Sequence, residues 1–249
     1  MKLMGWNINQ RANFRNQANL PDLIINEIKR LKVDIAVLTE FYKCVDYEDF
    51  ISKIESLGYT VFLDPRPAER YKNQVLIAVS DKLDVYNEGN IKTFPNEIDS
   101  NYPNFLQVTV KYNNAPLTII GTRMRDMEKV PQFKILNNYL ATLPIENKII
   151  CIGDFNALRP YCIKHLNFFN EDNIYPDWHN HPDEWSYVFK NYNKAQLDLL
   201  AVKGLSVTNE KYDWDYLKHS KSYFYADDYK SDVVGFPDHA VLVADLKFI

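Results

Sequence analysis

Residues 148–156 read KIICIGDFN, an apolar run that stops abruptly at Gly153 and gives way to Asp154, Phe155 and Asn156. Consecutive β-branched and apolar residues bounded by glycine read as a strand buried on both faces. The polar ending carries the chemical information. KLMGW at 2–6 runs into Asn7, and DIAVLT at 34–39 runs into Glu40, in the same way. One Asp or Asn at a strand end is ordinarily a turn-former. Several together mean more, because a packed sheet delivers its strand ends to one edge and brings Asn7, Glu40 and Asp154 within reach of one another.

Similar apolar runs recur at 2–8, 33–39, 75–80, 105–111, 117–122, 148–153, 197–202 and 240–248, and each predicts a strand. Helical spacing appears at 21–31, where Leu20, Leu23, Ile24, Ile28 and Leu31 mark one face and Pro21 and Asp22 suit the first turn. Further helices are predicted over 46–57, stopping at Gly58, and over 129–142, before Pro144. Several strands follow one another without a helix between, which points to mixed sheets covered by a few helices. The stretches 159–193 and about 210–235 lack clear period and are read as long loops that help select substrate.

The chain has 249 residues, which suits one domain over 1–249, since single α/β domains reach about 200 to 250 residues. Its net charge of -4 excludes a grip on nucleic acid through overall charge, so any polyanion must bind a local patch. Cys44, Cys151 and Cys162 are odd in number and lack C-x-x-C spacing, which fits reduced, buried thiols and a cytoplasmic location. The opening strand pattern is too short for a signal peptide, and no window reaches the roughly 18 apolar residues of a membrane span. We expect no membrane insertion, and a monomer.

Carboxylate and amide oxygens without cysteine suit a hard cation such as Mg²⁺ or Mn²⁺, which joins one or two carboxylates to a substrate phosphate. The one His-dense stretch, WHNHPD at 178–183, could be read as a transition-metal site. Pro176 and Pro182 mark it instead as a loop with solvated histidines, and no third ligand is evident nearby.

The order NIN at 7–9, TE at 39–40, GDFN at 153–156, LDLL at 197–200 and PDH at 237–239 resembles the endonuclease/exonuclease/phosphatase superfamily across nearly the whole chain. The opening MKLMGWNINQR is similar to the start of exonuclease III-type members. The resemblance implies an α/β (α+β) four-layer sandwich of two mixed β-sheets flanked by helices, with the active site at one edge. It implies that Glu40, Asn7 and Asp238 hold the metal, that Asp154 positions or deprotonates the attacking water, and that Asn156 donates to the phosphate. Asp198 and His239 would form the superfamily's Asp–His pair. Independently of the family, an Asp inside LDLLAV is costly to bury without a partner, and His239 is a suitable one.

Two positions depart from the family pattern. Arg123, in IIGTRMR at 119–125, stands where many members carry a phosphate-binding His, and Gln196 stands where many carry Arg. A guanidinium binds phosphate bidentately but does not release a proton at neutral pH. Arg123 and Arg125 are therefore candidate phosphate ligands, and Asn73, with Lys72, is a candidate substrate contact. The reading that follows is a metal-dependent phosphodiesterase acting on DNA or RNA. A small phosphate ester is the alternative substrate, and a non-catalytic binding module a third reading.

Overall fold

The computed structural model describes residues 1–10, 20–65, 73–85, 91–94, 101–126, 129–177, 179–189, 191–219 and 237–249. Lys72 and the segment 220–236 lie outside them. In chain order the elements are β1 (Lys2–Asn7), α1 (Asp22–Leu31), β2 (Ile35–Phe41), α2 (Tyr47–Glu55), β3 (Tyr59–Leu63), β4 (Gln74–Ser80), β5 (Asp84–Val85), β6 (Lys92–Thr93), β7 (Asn104–Tyr112), β8 (Ala115–Arg123) and α3 (Lys129–Leu140). There follow β9 (Lys148–Asp154), α4 (Arg159–His165), β10 (Ile174–Tyr175), β11 (Tyr187–Val188), β12 (Lys194–Ala195), β13 (Asp198–Lys203), β14 (Leu205–Asp213) and β15 (Val241–Phe248).

One sheet has the order β14-β15-β1-β2-β4-β3, and the other runs β10-β13-β9-β8-β7-β5 with β6 also on β7. Both are mixed: β1 and β2 are parallel in the first, β8 and β9 in the second, and the other pairs are antiparallel. Alternation along the strands sorts the apolar residues into three layers. Leu3, Ile35, Val37, Val75 and Ile77 of the first sheet meet Leu106, Val108, Ile119, Ile150, Ile152 and Leu200 of the second. Met4, Trp6, Ala36, Leu38 and Leu76 face the other way and pack on Ile24 and Ile28 of α1 and Phe50 and Ile54 of α2. Ile120, Ile149, Cys151 and Leu199 pack on Phe133, Leu136 and Leu140 of α3 and Cys162 of α4. The result is the four-layer α/β/β/α sandwich that the sequence motifs imply.

The sheets approach so closely that a Cβ on Gly121 would meet Val75 Cγ1 at 2.5 Å and Val37 Cγ1 at 2.7 Å. The three anticipated helices are present within two residues of their predicted ends, α2 closing at Glu55. Gly58, where it was expected to stop, adopts φ +84° in the turn that follows. The stretch 159–193 departs from its reading as loop: it contains α4, a 3-10 turn at Glu171–Asn173, β10 and β11. Residues 205–213 likewise form a strand, β14, where 210 onward was read as loop.

Gly153 sets the geometry at the end of β9. Its φ of +151° is one that side-chain-bearing residues rarely adopt, and a Cβ there would lie 1.8 Å from the Thr122 carbonyl oxygen. Gly153→Ala should therefore lower unfolding free energy by about 3 kcal/mol or more, read from urea denaturation. An unchanged midpoint would refute this account of the β8–β9 junction.

Candidate active site at the sandwich edge

Asn7, Arg123, Asp154 and Asp198 occupy strand positions in step with the inward-facing residues Leu3, Ile119, Ile152 and Leu200. They are the polar ends of rows that otherwise fill the layer between the sheets. Pairing brings three of them level: Arg123 lies opposite Asp154 in the parallel β8–β9 pair, and Asp198 opposite Asp154 in the antiparallel β9–β13 pair. The end of one strand and the start of the next thus converge.

Glu40 is out of step with Ile35 and Val37 and arrives by a local irregularity. The β2–β4 register shifts between Leu38 and Phe41, and Glu40 has φ +55°. A bulge with one left-handed residue re-aims a side chain at a sheet edge, at a backbone cost of order 1–3 kcal/mol. That cost is met by what Glu40 contacts. Asn7 Nδ2 donates to Glu40 Oε1 at 3.2 Å and to Asp154 Oδ2 at 2.9 Å, and Arg123 Nη2 lies 2.7 Å from Glu40 Oε1. Asn7 is itself fixed, because its Oδ1 accepts the Asn9 N–H at 2.9 Å.

Asp154 is 1% exposed and accepts the backbone N–H of Asn156 at 2.9 Å on Oδ1 and the Asn156 amide at 3.0 Å on Oδ2. The same amide donates to the Met124 carbonyl at 2.8 Å. Asn156 is therefore engaged in orienting Asp154, where the sequence suggested a donor to phosphate. Burial pushes the Asp154 carboxyl up to about 7, helped by Asp198 and Glu40 and opposed by His239 and Arg123.

His239 precedes β15, and its Nδ1–H donates to Asp198 Oδ2 at 2.6 Å. The His239 carbonyl accepts from Trp6 Nε1 at 2.9 Å and Tyr216 Oη at 2.8 Å, so both ring and backbone are held. Ser186 secures the other partner: its hydroxyl accepts the N–H groups of Leu197 at 2.8 Å and Asp198 at 3.1 Å. The Tyr187 ring lies 4.6 Å from the imidazole, and Phe189 meets Tyr187 edge-on at 5.1 Å. The sequence reading missed Ser186 and Tyr187. The only available signal was their place in the aromatic segment EWSYVF at 184–189.

Asp154, Asp198 and His239 have potential ligand atoms within 4.8 Å of one another. The imidazole Nδ1 is already spent on Asp198, so the oxygens of Glu40 and Asp154 are the better place for an ion. Asp198 Oδ1 is buried with no hydrogen-bond partner. Four carboxylates, Glu40, Asp154, Asp198 and Asp238, face two cations, Arg123 and His239, and the surplus negative charge and all-oxygen donors fit a hard divalent cation. Asp238 Oδ1 lies 4.0 Å from His239 Nε2.

The remaining candidates lie around this centre. Asn73 precedes β4 and lines a small cleft with Asp64, Phe94, Asn104 and Phe105, and Asn104 pairs with Arg123 across β7–β8. Arg125 follows β8, its N–H donating to Gln132 Oε1 at 2.7 Å. His181 faces Glu210 at 3.4 Å and Glu184 at 3.8 Å, and Asp177 accepts the His179 N–H at 3.1 Å. Residues 179–183 of that stretch thus belong to a hydrogen-bonded loop, and Trp178 lies outside the described residues.

The sandwich is the fold that the resemblance to the endonuclease/exonuclease/phosphatase superfamily implies. No family model matches the sequence, and no curated protein matches it. Similar solved structures cover almost the whole chain. D. rerio TDP2 complexed with single-strand DNA product is 13% identical with TM-score 0.69, over 99% of this chain and 98% of that one. The human Nocturnin catalytic domain with bound sulfate is 18% identical with TM-score 0.67, over 100% and 94%. ANGEL2, a 2',3'-cyclic phosphatase in complex with adenosine-2',3'-vanadate, is 14% identical with TM-score 0.70, over 100% and 95%.

Burial would lower the His239 imidazolium, but Asp198, with Asp154 and Asp238, outweighs it and lifts the ring to about 10. The folded value exceeds the ordinary one near 6.5, so the pair's stabilisation is full below about 6.5 and lost as pH rises through about 10. In metal-free protein, the His239 ring resonances should stay those of imidazolium to about pH 9, read by NMR titration. In Asp198→Asn the ring should lose its proton at or below its ordinary value, because burial then acts with less opposition. A wild-type ring titrating near 6.5 would refute the pairing.

Proposed function

We propose that the chain is a Mg²⁺- or Mn²⁺-dependent phosphodiesterase that cleaves nucleic acid at this edge. The observation that carries the reading is the buried Asp154 carboxylate, oriented by Asn7 and Asn156, standing beside the Asp198–His239 pair. Glu40 and Asp154 would hold the ion, with Asp238 adding an oxygen; Asn7, expected from the sequence to be a ligand, turns its Nδ2 to both carboxylates and its Oδ1 to the Asn9 N–H, and so positions the ligands instead of joining them. A divalent ion held there would supply polarisation of a phosphoryl oxygen and compensation for charge gathered in the transition state.

The protein's own groups do the rest. Asp154, held from two sides, accepts a proton from the attacking water. His239, kept charged by Asp198, directs Nε2–H at a non-bridging phosphate oxygen and strengthens its hold as charge develops. Arg123 offers a two-pronged contact to the phosphate. Since Arg123 does not release a proton at neutral pH, the leaving oxygen takes its proton from solvent or from another group.

Tyr187 against His239, with Phe189 40% exposed and Tyr192 63% exposed on the β11–β12 hairpin, supports a nucleotide substrate. Exposed aromatic rings beside a phosphate site accept stacked bases irrespective of sequence. TDP2 bound to single-strand DNA and ANGEL2 bound to an adenosine vanadate are in keeping with that choice. The net charge of -4 and pI near 5.8 favour a second reading, a small phosphate ester. Salt separates the two, since a backbone-gripping nuclease weakens steeply as salt rises. We also infer a cytoplasmic location from the three free, buried cysteines.

The test is hydrolysis of single- and double-stranded DNA, RNA and a panel of small esters, with Mg²⁺, Mn²⁺ or EDTA. Asp154→Asn and His239→Ala should each lower kcat at least about a hundredfold. Tyr187→Ala should raise KM on a polynucleotide severalfold and leave KM on a small ester unchanged. Turnover confined to small esters would replace the substrate, and metal-independent turnover would overturn the mechanism.

A further inference from the structure

We propose that Arg123 is a tethered counter-cation: its guanidinium occupies Glu40 in the metal-free protein, and a divalent ion displaces it toward the substrate phosphate. The inference rests on the metal-dependent reading above and adds an exchange of cations to it.

Three observations point this way. First, Glu40 Oε1 already receives two donors, Asn7 Nδ2 at 3.2 Å and Arg123 Nη2 at 2.7 Å. A carboxylate oxygen has two lone-pair sites, so an ion that shares Oε1 must displace a donor, and an ion on Oε2 still sets its charge against the guanidinium on the same carboxylate. Second, the two donors differ in freedom. Asn7 is a short side chain tied to Asp154 and to the Asn9 N–H, whereas Arg123 is a long side chain on the last residue of β8. Arg123 is the one that can leave.

Third, the guanidinium is poorly satisfied where it rests. Its Nε is buried with no hydrogen-bond partner and lies 3.9 Å from Asp154 Oδ2. A guanidinium presents Nε and Nη2 as a fork, and two oxygens of one phosphate match that fork. The resting contact with Glu40 uses one prong. Arg123 also stays charged at any working pH, so it and a divalent ion repel across the same carboxylate unless one moves. The guanidinium thereby opposes metal binding and is released to the phosphate when the ion arrives.

The experiment is calorimetric titration of Mn²⁺ into the wild-type protein, Glu40→Gln, Arg123→Met and Arg123→Lys, followed by inorganic phosphate into the Mn²⁺-loaded proteins. Mn²⁺ should bind the wild type, and Glu40→Gln should bind at least about tenfold more weakly. Arg123→Met should bind Mn²⁺ about tenfold more tightly, roughly 1.4 kcal/mol, and phosphate about tenfold more weakly. Arg123→Lys, which keeps the charge, should keep the wild-type Mn²⁺ affinity within about threefold and shows that a folded variant at this position is being compared. Unchanged or weaker Mn²⁺ binding by Arg123→Met, with Glu40→Gln impaired, would overturn the exchange and leave the metal site standing. A wild type that binds no Mn²⁺, or a Glu40→Gln that binds it equally well, would overturn the metal reading and the exchange together.

Discussion

One amide bridges the two sheets at the site. Asn7 ends β1 in the first sheet, and its Nδ2 reaches Glu40 beside it and Asp154 across the sandwich. Buried carboxylates repel one another and lose hydration, so they persist only where donors converge on them. Asn7 supplies that donor without adding charge, and the Asn9 N–H fixes which way the amide faces. Arg123, Asn156 and the Asp198–His239 pair then complete an arrangement whose first member is neutral and immobile. The His239 backbone is anchored from the first sheet's outer layer as well, through Trp6 and Tyr216.

The site can be understood as the place where the inter-sheet core runs out. Rows of Leu, Ile and Val pack between the sheets, and the same rows continue into Asn7, Arg123, Asp154 and Asp198 at one end. Strand period alone aims these four inward. The apolar layer beneath makes the site rigid and keeps water to one side. Two backbone devices correct what period cannot supply: the bulge with a left-handed Glu40, and the φ of Gly153 immediately before Asp154.

The eight strands expected from apolar runs correspond to β1, β2, β4, β7, β8, β9, β13 and β15, and these are the strands paired on both sides. The missed β3 and β14 are the edges of the first sheet, and β14 carries Ser206, Thr208, Asn209, Glu210 and Lys211 among its residues. An edge strand can spend its residues on solvent, as β14 does, so a criterion of continuous burial passes over it; β3, with the sequence YTVFL, did carry a strand signal. The catalytic candidates were legible for the opposite reason: they interrupt or end runs that are otherwise apolar. Ser186, Tyr187, Trp6 and Tyr216 were not, because residues that hold a neighbour's backbone or pack on its ring leave no pattern in a single sequence. The re-aiming of Glu40 depends on a pairing register that its own segment does not encode.

The two departures from the family pattern are linked through charge. At 196, where the resemblance leads one to expect Arg, Gln196 is buried and its Nε2 donates to the carbonyls of His181 at 3.3 Å and Glu184 at 3.1 Å. It thereby secures the loop that carries Ser186, and through Ser186 the start of β13. A guanidinium is absent at that position and present at 123, where a His is expected. The guanidinium of Arg123 stands 2.7 Å from Glu40, and His239 is the cation at Asp198. Beside Asp198 a guanidinium would compete with His239 for the carboxylate. Beside Glu40 it stabilises the acidic cluster while leaving the Asp198–His239 bond to itself.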